Sequence, residues 1–513
     1  MDQFKSIFNY QPPRGWKGLL AFTLVLFLVI ASLPPLTITP GTKHFIVSFS
    51  LLATWRYGWG LINFIRSVIY RSIVFPNWRR VVDLNTDALM PSKIYLLITS
   101  FRIDAETTAR VVHAAVKEAI DCNVPTTIVA SIVELGDEFL YKDIFTSLNP
   151  PKHIELRIVR IAGTGKRDAL AHGFRSISRD CPPADSVMAV IDGDTVILKG
   201  TLKKCAPFFK THPKLGALTT DEISEVHGTK FMQLWHNLRF AQRHLLMSSI
   251  SLSRRVMTLT GRMSMYRTDI VTNPDFIDHT LNDHLEHWRL GRFKFLTGDD
   301  KSSLFWVLKN GYEQIYLPDV KVLTIEDAPS QNFLSTSTQL MIRWYGNMLR
   351  TNARVLKLGP LKMPFFAWWA FLDQRVSMWT TLAGPTFALF LTMEYGPSMI
   401  GLYFVWVIFV RWVMTLILLS ARKETSWTYP FLLYFGQIYG SIIKTYVMFR
   451  LDRQKWTRQK TKLKHDISDW EAVWRRTSTL LVHIISILCF ISLIGLASGI
   501  LEFPHIFTGI LFS

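Results

Sequence analysis

Two blocks of apolar sequence, residues 17–73 and 363–513, bracket a middle of mixed composition, and that division limits the chain's architecture more than any other feature. A helix rises about 1.5 Å per residue, so crossing a hydrocarbon core of about 30 Å takes about 20 apolar residues. Residues 18–38 and 45–69 both reach that length. A signal peptide also starts with basic residues such as Arg14 and Lys17 ahead of an apolar run. Here a second apolar stretch follows with no small-residue cleavage site before it, so a membrane hairpin is expected. Arg66, Arg71, Arg79 and Arg80 come at and after the end of its second arm, whereas the connection carries only Lys43 and His44. Positive charge marks the cytoplasmic side, which places both ends of the hairpin, and the middle region after it, in the cytoplasm.

The second block begins with the aromatic run of residues 364–371 followed by Asp373, Gln374 and Arg375, a composition suited to a helix lying in the membrane interface. Residues 376–393, 399–419 and 479–501 read as spans. Residues 429–449 contain Gly436, Gln437, Gly440 and Lys444 and precede the basic stretch 449–464. A single crossing would put that stretch outside, against the charge rule, so an interfacial or re-entrant segment is expected; residues 503–513 have room to turn back. Overall, residues 1–75 read as a transmembrane hairpin, 80–360 as an α/β domain and 361–513 as interfacial and transmembrane helices.

Lysine and arginine outnumber aspartate and glutamate by 58 to 39, a net charge of +19. Such a balance suits an anionic leaflet of membrane lipid or an anionic substrate. With no zinc-finger spacing and no dense basic–aromatic run, no nucleic acid is expected as a partner. The 4 cysteines are far apart and form no CxxC pair, which fits a reduced compartment.

Within the middle region, residues 93–99, 125–133, 154–161 and 187–196 read as strands, and 106–119 and 168–177 as helices. The alternation indicates an α/β fold with a mostly parallel, nucleotide-binding sheet. The last of these strands, VMAVIDGDTV, ends in Asp192-Gly193-Asp194. Two carboxylates one residue apart can hold a divalent cation, and the cation a diphosphate; an acidic turn is the plainer reading. Residues 162–171, AGTGKRDALA, free backbone amides and place Lys166 and Arg167 at a helix start, where anions bind, although this is no Walker P-loop. Thr297-Gly298-Asp299-Asp300 offers a second acidic pair. Asp299 is a candidate nucleotide-binding residue whose plainer reading is a helix N-cap, and Asp300 reads as a general base for an acceptor hydroxyl. Arg343 and Trp344 supply a cation and a ring face, although alone they would read as an ordinary interfacial helix.

Taken in order, the glycine–lysine turn, the DxD, the GDD and the RW resemble the processive membrane family-2 glycosyltransferases, the cellulose, chitin and hyaluronan synthases. Longer stretches, among them RIAGTGKRDALA, TGRMSMYR, HWRLGRFKFLTGDDKSS and FRLDRQKWTRQ, are similar to the catalytic subunits of alginate synthases. The resemblance implies a GT-A-like cytoplasmic domain inserted between transmembrane helices in a bacterial inner membrane. It implies polymerisation of mannuronate from GDP-mannuronate into β-1,4-linked polymannuronate with inversion. It also implies Mg²⁺ or Mn²⁺ on Asp192 and Asp194, a PilZ-domain membrane subunit that binds cyclic di-GMP, and periplasmic and outer-membrane export components. By the same resemblance Arg343 and Trp344 sit at the nucleotide and the acceptor entrance, and Arg453, Trp456 and Arg458 belong to a cytoplasmic element near the nucleotide.

Two departures stand out. The family signature QxxRW has Leu340 where its glutamine belongs, with Gln339 one residue off, and the first strand runs into ITSFRIDAET. Asp104 and Glu134 are the remaining candidates for nucleobase contacts. Arg56 and Arg411 fall inside expected spans, where charge is costly and faces a polar path, so both are candidates for the polymer's exit route. The same chemistry on another nucleotide sugar, as in hyaluronan or chitin synthesis, and a transporter with structural acidic turns are the alternatives.

Overall fold

A computed structural model describes residues 14–32, 43–454 and 468–501. The chain divides into two compact units, one formed by Ile65–Arg375 with Arg450–Ala472, the other by Met1–Phe64, Val376–Phe449 and Val473–Ser513.

The first unit is built on ten strands: β1 Ile94–Thr99, β2 Thr126–Ile132, β3 Ile154–Arg160, β4 Val187–Asp192, β5 Thr195–Ile197, β6 Leu215–His227, β7 Met263–Arg267, β8 His284–His287, β9 Gly291–Lys294 and β10 Glu313–Asp327. Eight of them form one sheet in the order β3-β2-β1-β4-β7-β6-β10-β5, and β8 and β9 pair separately. β1, β2, β3 and β4 run parallel. β7 and β5 run antiparallel to their neighbours, so the sheet is mixed. Every residue of β1, IYLLIT, and of β2, TTIVASI, is buried. That follows from central strands covered on both faces, which read as unbroken rather than alternating apolar runs.

Among the helices are α1 Trp16–Ala31, α2 Lys43–Ile69, α3 Ala105–Cys122, α4 Leu135–Ser147, α5 Lys166–Ser178, α6 Lys230–Ser251, α7 Asp299–Lys309, α8 Phe333–Lys357, α9 Phe365–Tyr395, α10 Ser398–Leu419, α11 Tyr429–Met448 and α12 Asp469–Ala497. α3 buries Val111, Val112, Ala115, Val116 and Ala119, a stripe at helical spacing. α5 lies so close to β1 that a Cβ on Gly173 would stand 2.4 Å from Leu97 Cδ1. The chain leaves β1 towards β2 and β3 and returns to the other side of β1 as β4. The gap beyond the carboxyl ends of β1 and β4 is therefore the topological switch point, where open α/β sheets bind ligands.

The expected strand 187–196 is interrupted. It stops at Asp192, and after Gly193-Asp194 the chain turns to the far edge of the sheet as β5, Thr195 pairing with Thr324 of β10.

In the second unit α1 is held by aromatic and polar contacts: Trp412 Nε1 donates to Thr23 Oγ1 at 2.8 Å, and Phe27 meets Trp412 edge-on. Among the described residues three helices are long and apolar enough to cross a membrane, α9 with 31 residues, α10 with 22 and α12 with 29. The chain is accordingly membrane-associated. α1 is a shorter apolar helix.

The aromatic run 364–371 and the span 376–393 were expected as separate helices, but they form one, α9. Nothing between them breaks a helix, and the polar residues at the join have partners within the first unit. Asn352 Nδ2 donates to Gln374 Oε1 at 2.9 Å, and Arg375 Nη1 to the Leu349 carbonyl at 3.0 Å. The unit boundary falls within this helix.

Candidate active site

Asp192 ends β4 in register with Thr99 of β1. The next residue has to be glycine. Gly193 N–H donates to the Thr99 carbonyl at 2.9 Å, and a Cβ there would sit 2.8 Å from that oxygen and 3.0 Å from Ser100 Cα. Two carboxylates thus flank a point of backbone contact, and both line a cavity of about 1050 Å³.

Gly163 (φ 77°) and Gly165 (φ 138°) turn the chain from β3 into α5, with Lys166 as its first residue. A cation there opposes the helix dipole. It is held by carboxylates: Lys166 Nζ lies 2.5 Å from Asp192 Oδ1 and 3.1 Å from Asp299 Oδ2. Burial works against the ammonium, but these two carboxylates outweigh it and push its pKa up.

Arg167 turns away from the cavity. Its buried guanidinium donates to the carbonyls of Thr280 at 2.7 Å and Thr297 at 3.2 Å, and to Ser302 Oγ at 2.9 Å. It fastens α5 to the TGDD turn instead of facing a ligand.

α7 begins after Gly298, which occupies the N-cap position at φ 83°. Asp299 is therefore not the cap expected from the sequence; its carboxylate faces Lys166. Burial raises the Asp299 pKa, yet Lys166 and then Arg167 more than offset this and hold it below the usual carboxylate range. Its neighbour goes the other way: burial first, then the Asp299 charge, raise Asp300. Thr258 Oγ1 donates to Asp300 Oδ2 at 3.2 Å. One turn of chain thus presents an ionised carboxylate and a more basic one to the same cavity.

α8 forms another wall. Gln339, Arg343 and Asn347, four apart, share one helical face and line the cavity with Trp344. Gln339 lines it even though it stands one position off the expected signature. Asn347 is built into the TGDD turn, accepting from Thr297 Oγ1 at 2.7 Å. Trp344 stacks under Arg239 of α6, whose guanidinium carbon is 3.5 Å from the ring centroid.

The turn before β7 has no assigned role in the sequence reading, yet it closes the site. Because β7 is antiparallel to β4, its start lies at the carboxyl end of β4, and a Cβ on Gly261 would be 2.6 Å from Lys166 Nζ. Arg262 pairs with Glu222 at 2.8 Å and with Glu326. Burial alone would raise Glu326, but Arg262 pulls it down to about 2. The stretch TGRMSMYR entered the sequence reading only as part of the resemblance, because where its glycine ends up depends on topology.

Asp104 and Glu134 are not brought into the cavity. Asp104 caps α3, accepting from Thr107 N–H at 2.8 Å, and Glu134 occupies the N-cap position of α4. Phe101, Arg102, Ile103, Val133 and Ile161 line that end instead. Arg453 is not in the cavity lining. Its neighbour Gln454 brackets the strand entering the TGDD turn, donating to the Lys294 carbonyl at 2.8 Å and accepting from Leu296 N–H at 3.0 Å. Trp456, Arg458 and residues 503–513 lie outside the described residues.

Among the described residues no three His, Cys, Asp or Glu side chains gather as a metal site. Asp192 and Asp194 fit a hard cation only together with oxygens from a bound diphosphate and water, as Mg²⁺ is usually held.

In the second unit, Arg411 of α10 interacts electrostatically with Tyr57, Tyr403, Tyr434 and Arg56. Tyr403 and Tyr434 hydroxyls are 3.4 Å apart, and Trp406 Nε1 donates to Tyr57 OH at 3.3 Å.

Residues 91–347 match the family described as glycosyltransferase like family 2. The chain is 46% identical over 463 residues to the glycosyltransferase alg8 of Pseudomonas syringae pv. tomato, covering 90% of this chain and 93% of that protein. It is also 46% identical over 480 residues to glycosyltransferase alg8 of Azotobacter vinelandii, covering 93% and 96%. Among solved structures, a mannosyltransferase from Pyrobaculum calidifontis in complex with GDP-Man and Mn²⁺ aligns over 70% of this chain and 97% of its own at 15% identity, with a TM-score of 0.38.

Proposed function

Because the chain belongs to glycosyltransferase like family 2 and is a glycosyltransferase, we propose that it polymerises mannuronate from GDP-mannuronate into β-1,4-linked polymannuronate, the precursor of alginate. The observation that carries this reading is the meeting of Asp192, Asp194, Lys166, Asp299 and Asp300 in one cavity at the switch point of the sheet. Relatives named glycosyltransferase alg8 along almost the whole chain support a glycosyltransferase of alginate synthesis.

In this reading Asp192 and Asp194 would hold Mg²⁺ or Mn²⁺, which would supply charge neutralisation at the diphosphate. Lys166 and Arg343 add positive charge at the leaving group. Asp300 takes the proton as the acceptor oxygen attacks the anomeric carbon from the face opposite the breaking C1–O(phosphate) bond. The product has inverted configuration and GDP departs. Residues 80–360 act in the cytoplasm, and the helices on either side anchor the enzyme in the bacterial inner membrane. A PilZ-domain subunit that binds cyclic di-GMP and the export components complete the assembly.

Membranes holding the chain and its partner subunit, with cyclic di-GMP, are expected to release GDP from GDP-mannuronate about a hundredfold faster than nucleotide from GDP-mannose or UDP-sugars. Faster turnover of a UDP-sugar would replace the donor by that of a hyaluronan- or chitin-like synthase.

Arg56 and Arg411 belong to the exit path in this reading, supported by the electrostatic interaction of Arg411 with the hydroxyl-bearing Tyr57, Tyr403 and Tyr434, which suit a polar chain better than lipid does. Arg411→Leu should slow polymer export several-fold more than it slows GDP release. Equal loss of both, or of neither, would remove the residue from the path.

A further inference from the structure

Most cationic groups of the cavity are already matched. Lys166 lies between Asp192 and Asp299. Arg243 and Arg262 share the buried carboxylate of Glu222 at 2.6 and 2.8 Å. Lys301 donates to the Met257 carbonyl at 2.6 Å. Arg102 is exposed to solvent.

Arg239 differs. It projects from α6 into the cavity wall, and its contacts among the described residues are with rings. Its guanidinium carbon is 3.5 Å from the Trp344 centroid and 5.0 Å from that of Trp235. Neither a hydrogen bond nor an ion pair joins it to a described residue. Burial pulls its pKa down to about 10, so it remains charged at neutral pH. A guanidinium held over an indole face does not spend its N–H donors on that contact, and their planar fork matches a two-oxygen anion.

We propose that Arg239, fixed in orientation by Trp344, receives the C5 carboxylate of a uronate unit and so sets the preference for an acidic over a neutral sugar. The inference rests on the reading of the substrate as a uronate, but the residue and its geometry are separate from the groups placed on the diphosphate. The carboxylate has two sources in this reaction, the donor sugar and the end of the growing chain.

Arg239→Gln and Arg239→Lys separate them, tested in membranes that contain the full chain and its partner subunit. Binding of GDP, GDP-mannose and GDP-mannuronate is measured beside elongation of oligomannuronate. If the donor carboxylate is the partner, Arg239→Gln weakens GDP-mannuronate by about tenfold to a hundredfold, the size expected for a lost charge-assisted pair, and leaves GDP and GDP-mannose unchanged. If the acceptor carboxylate is the partner, donor binding holds and the oligomannuronate KM rises by that factor. In either case Arg239→Lys recovers part of the loss, and intact GDP binding reports a folded site. Equal weakening of GDP in both variants would reassign the residue to the diphosphate or to folding, and no change in either arm would also overturn the proposal. Wild-type membranes inactive on GDP-mannuronate would instead overturn the substrate reading.

Discussion

Asp300→Asn membranes are expected to make no detectable polymer from GDP-mannuronate while binding GDP as the unaltered protein does. Asparagine keeps the shape of the side chain, and its carbonyl oxygen can still accept from Thr258 Oγ1, now 3.2 Å from the carboxylate. What it loses is the ability to take a proton. A positioned general base contributes about 10²–10⁴-fold, so polymer synthesis should fall by at least the lower figure. The pH profile gives a second reading of the same residue. Burial and the Asp299 charge raise the Asp300 pKa, so the basic form is lost on acidification at a higher pH than for an ordinary aspartate. The acid limb of kcat/KM should therefore lie above the usual carboxylate range, with the rate falling as the pH drops through it. Polymer synthesis retained in Asp300→Asn, or an acid limb at an ordinary carboxylate position, would remove Asp300 from the chemistry.

What the sequence revealed of this site followed from short-range pattern. The apolar runs of β1, β2 and β4 and the glycine-rich turn into α5 depend on neighbours in the chain, and Asp192, Asp194 and Lys166 could be placed from them. Residues delivered from a distance were not legible. Gly261 reaches Lys166 only because β7 enters the sheet antiparallel to β4, which no local periodicity dictates. Gln339 looked misplaced by its offset from the signature, yet one extra position on a helix moves a side chain by about 100°, and long side chains on a broad cavity wall tolerate that. Arg167 erred the other way. Adjacent to Lys166 in sequence, it points to the opposite side of the helix start, into the contact with Thr280, Thr297 and Ser302. Asp104 looked like a ligand because it follows β1, but it also precedes a helix, and the free N–H groups of α3 claimed its carboxylate.

Lys166→Met should cost more than the loss of one substrate contact, because the ammonium is the internal counterion of the site. With it removed, Asp192 and Asp299 are left beside each other without the cation that lies 2.5 and 3.1 Å from them. Breaking a buried pair at one partner costs about 3–5 kcal/mol; this site is partly exposed, so the lower end applies. The sign with pH follows from Asp299, whose folded pKa is depressed chiefly by Lys166 against the cost of burial. Its contribution to stability is present above the unfolded carboxylate pKa and disappears as pH falls through the folded value. The variant should therefore be most destabilised at neutral pH and approach the unaltered protein below about pH 4. Polymer synthesis should drop by about two orders of magnitude or more if, as proposed, the same ammonium stabilises the departing diphosphate. A divalent cation tests the arrangement directly. In the unaltered protein the ammonium already occupies the space between the two carboxylates, so millimolar Mn²⁺ without nucleotide should barely move the thermal midpoint. In Lys166→Met the same Mn²⁺ should raise it by several degrees. Equal shifts in both proteins would mean that Lys166 and the cation do not compete for Asp192, and that the lysine acts on the nucleotide alone.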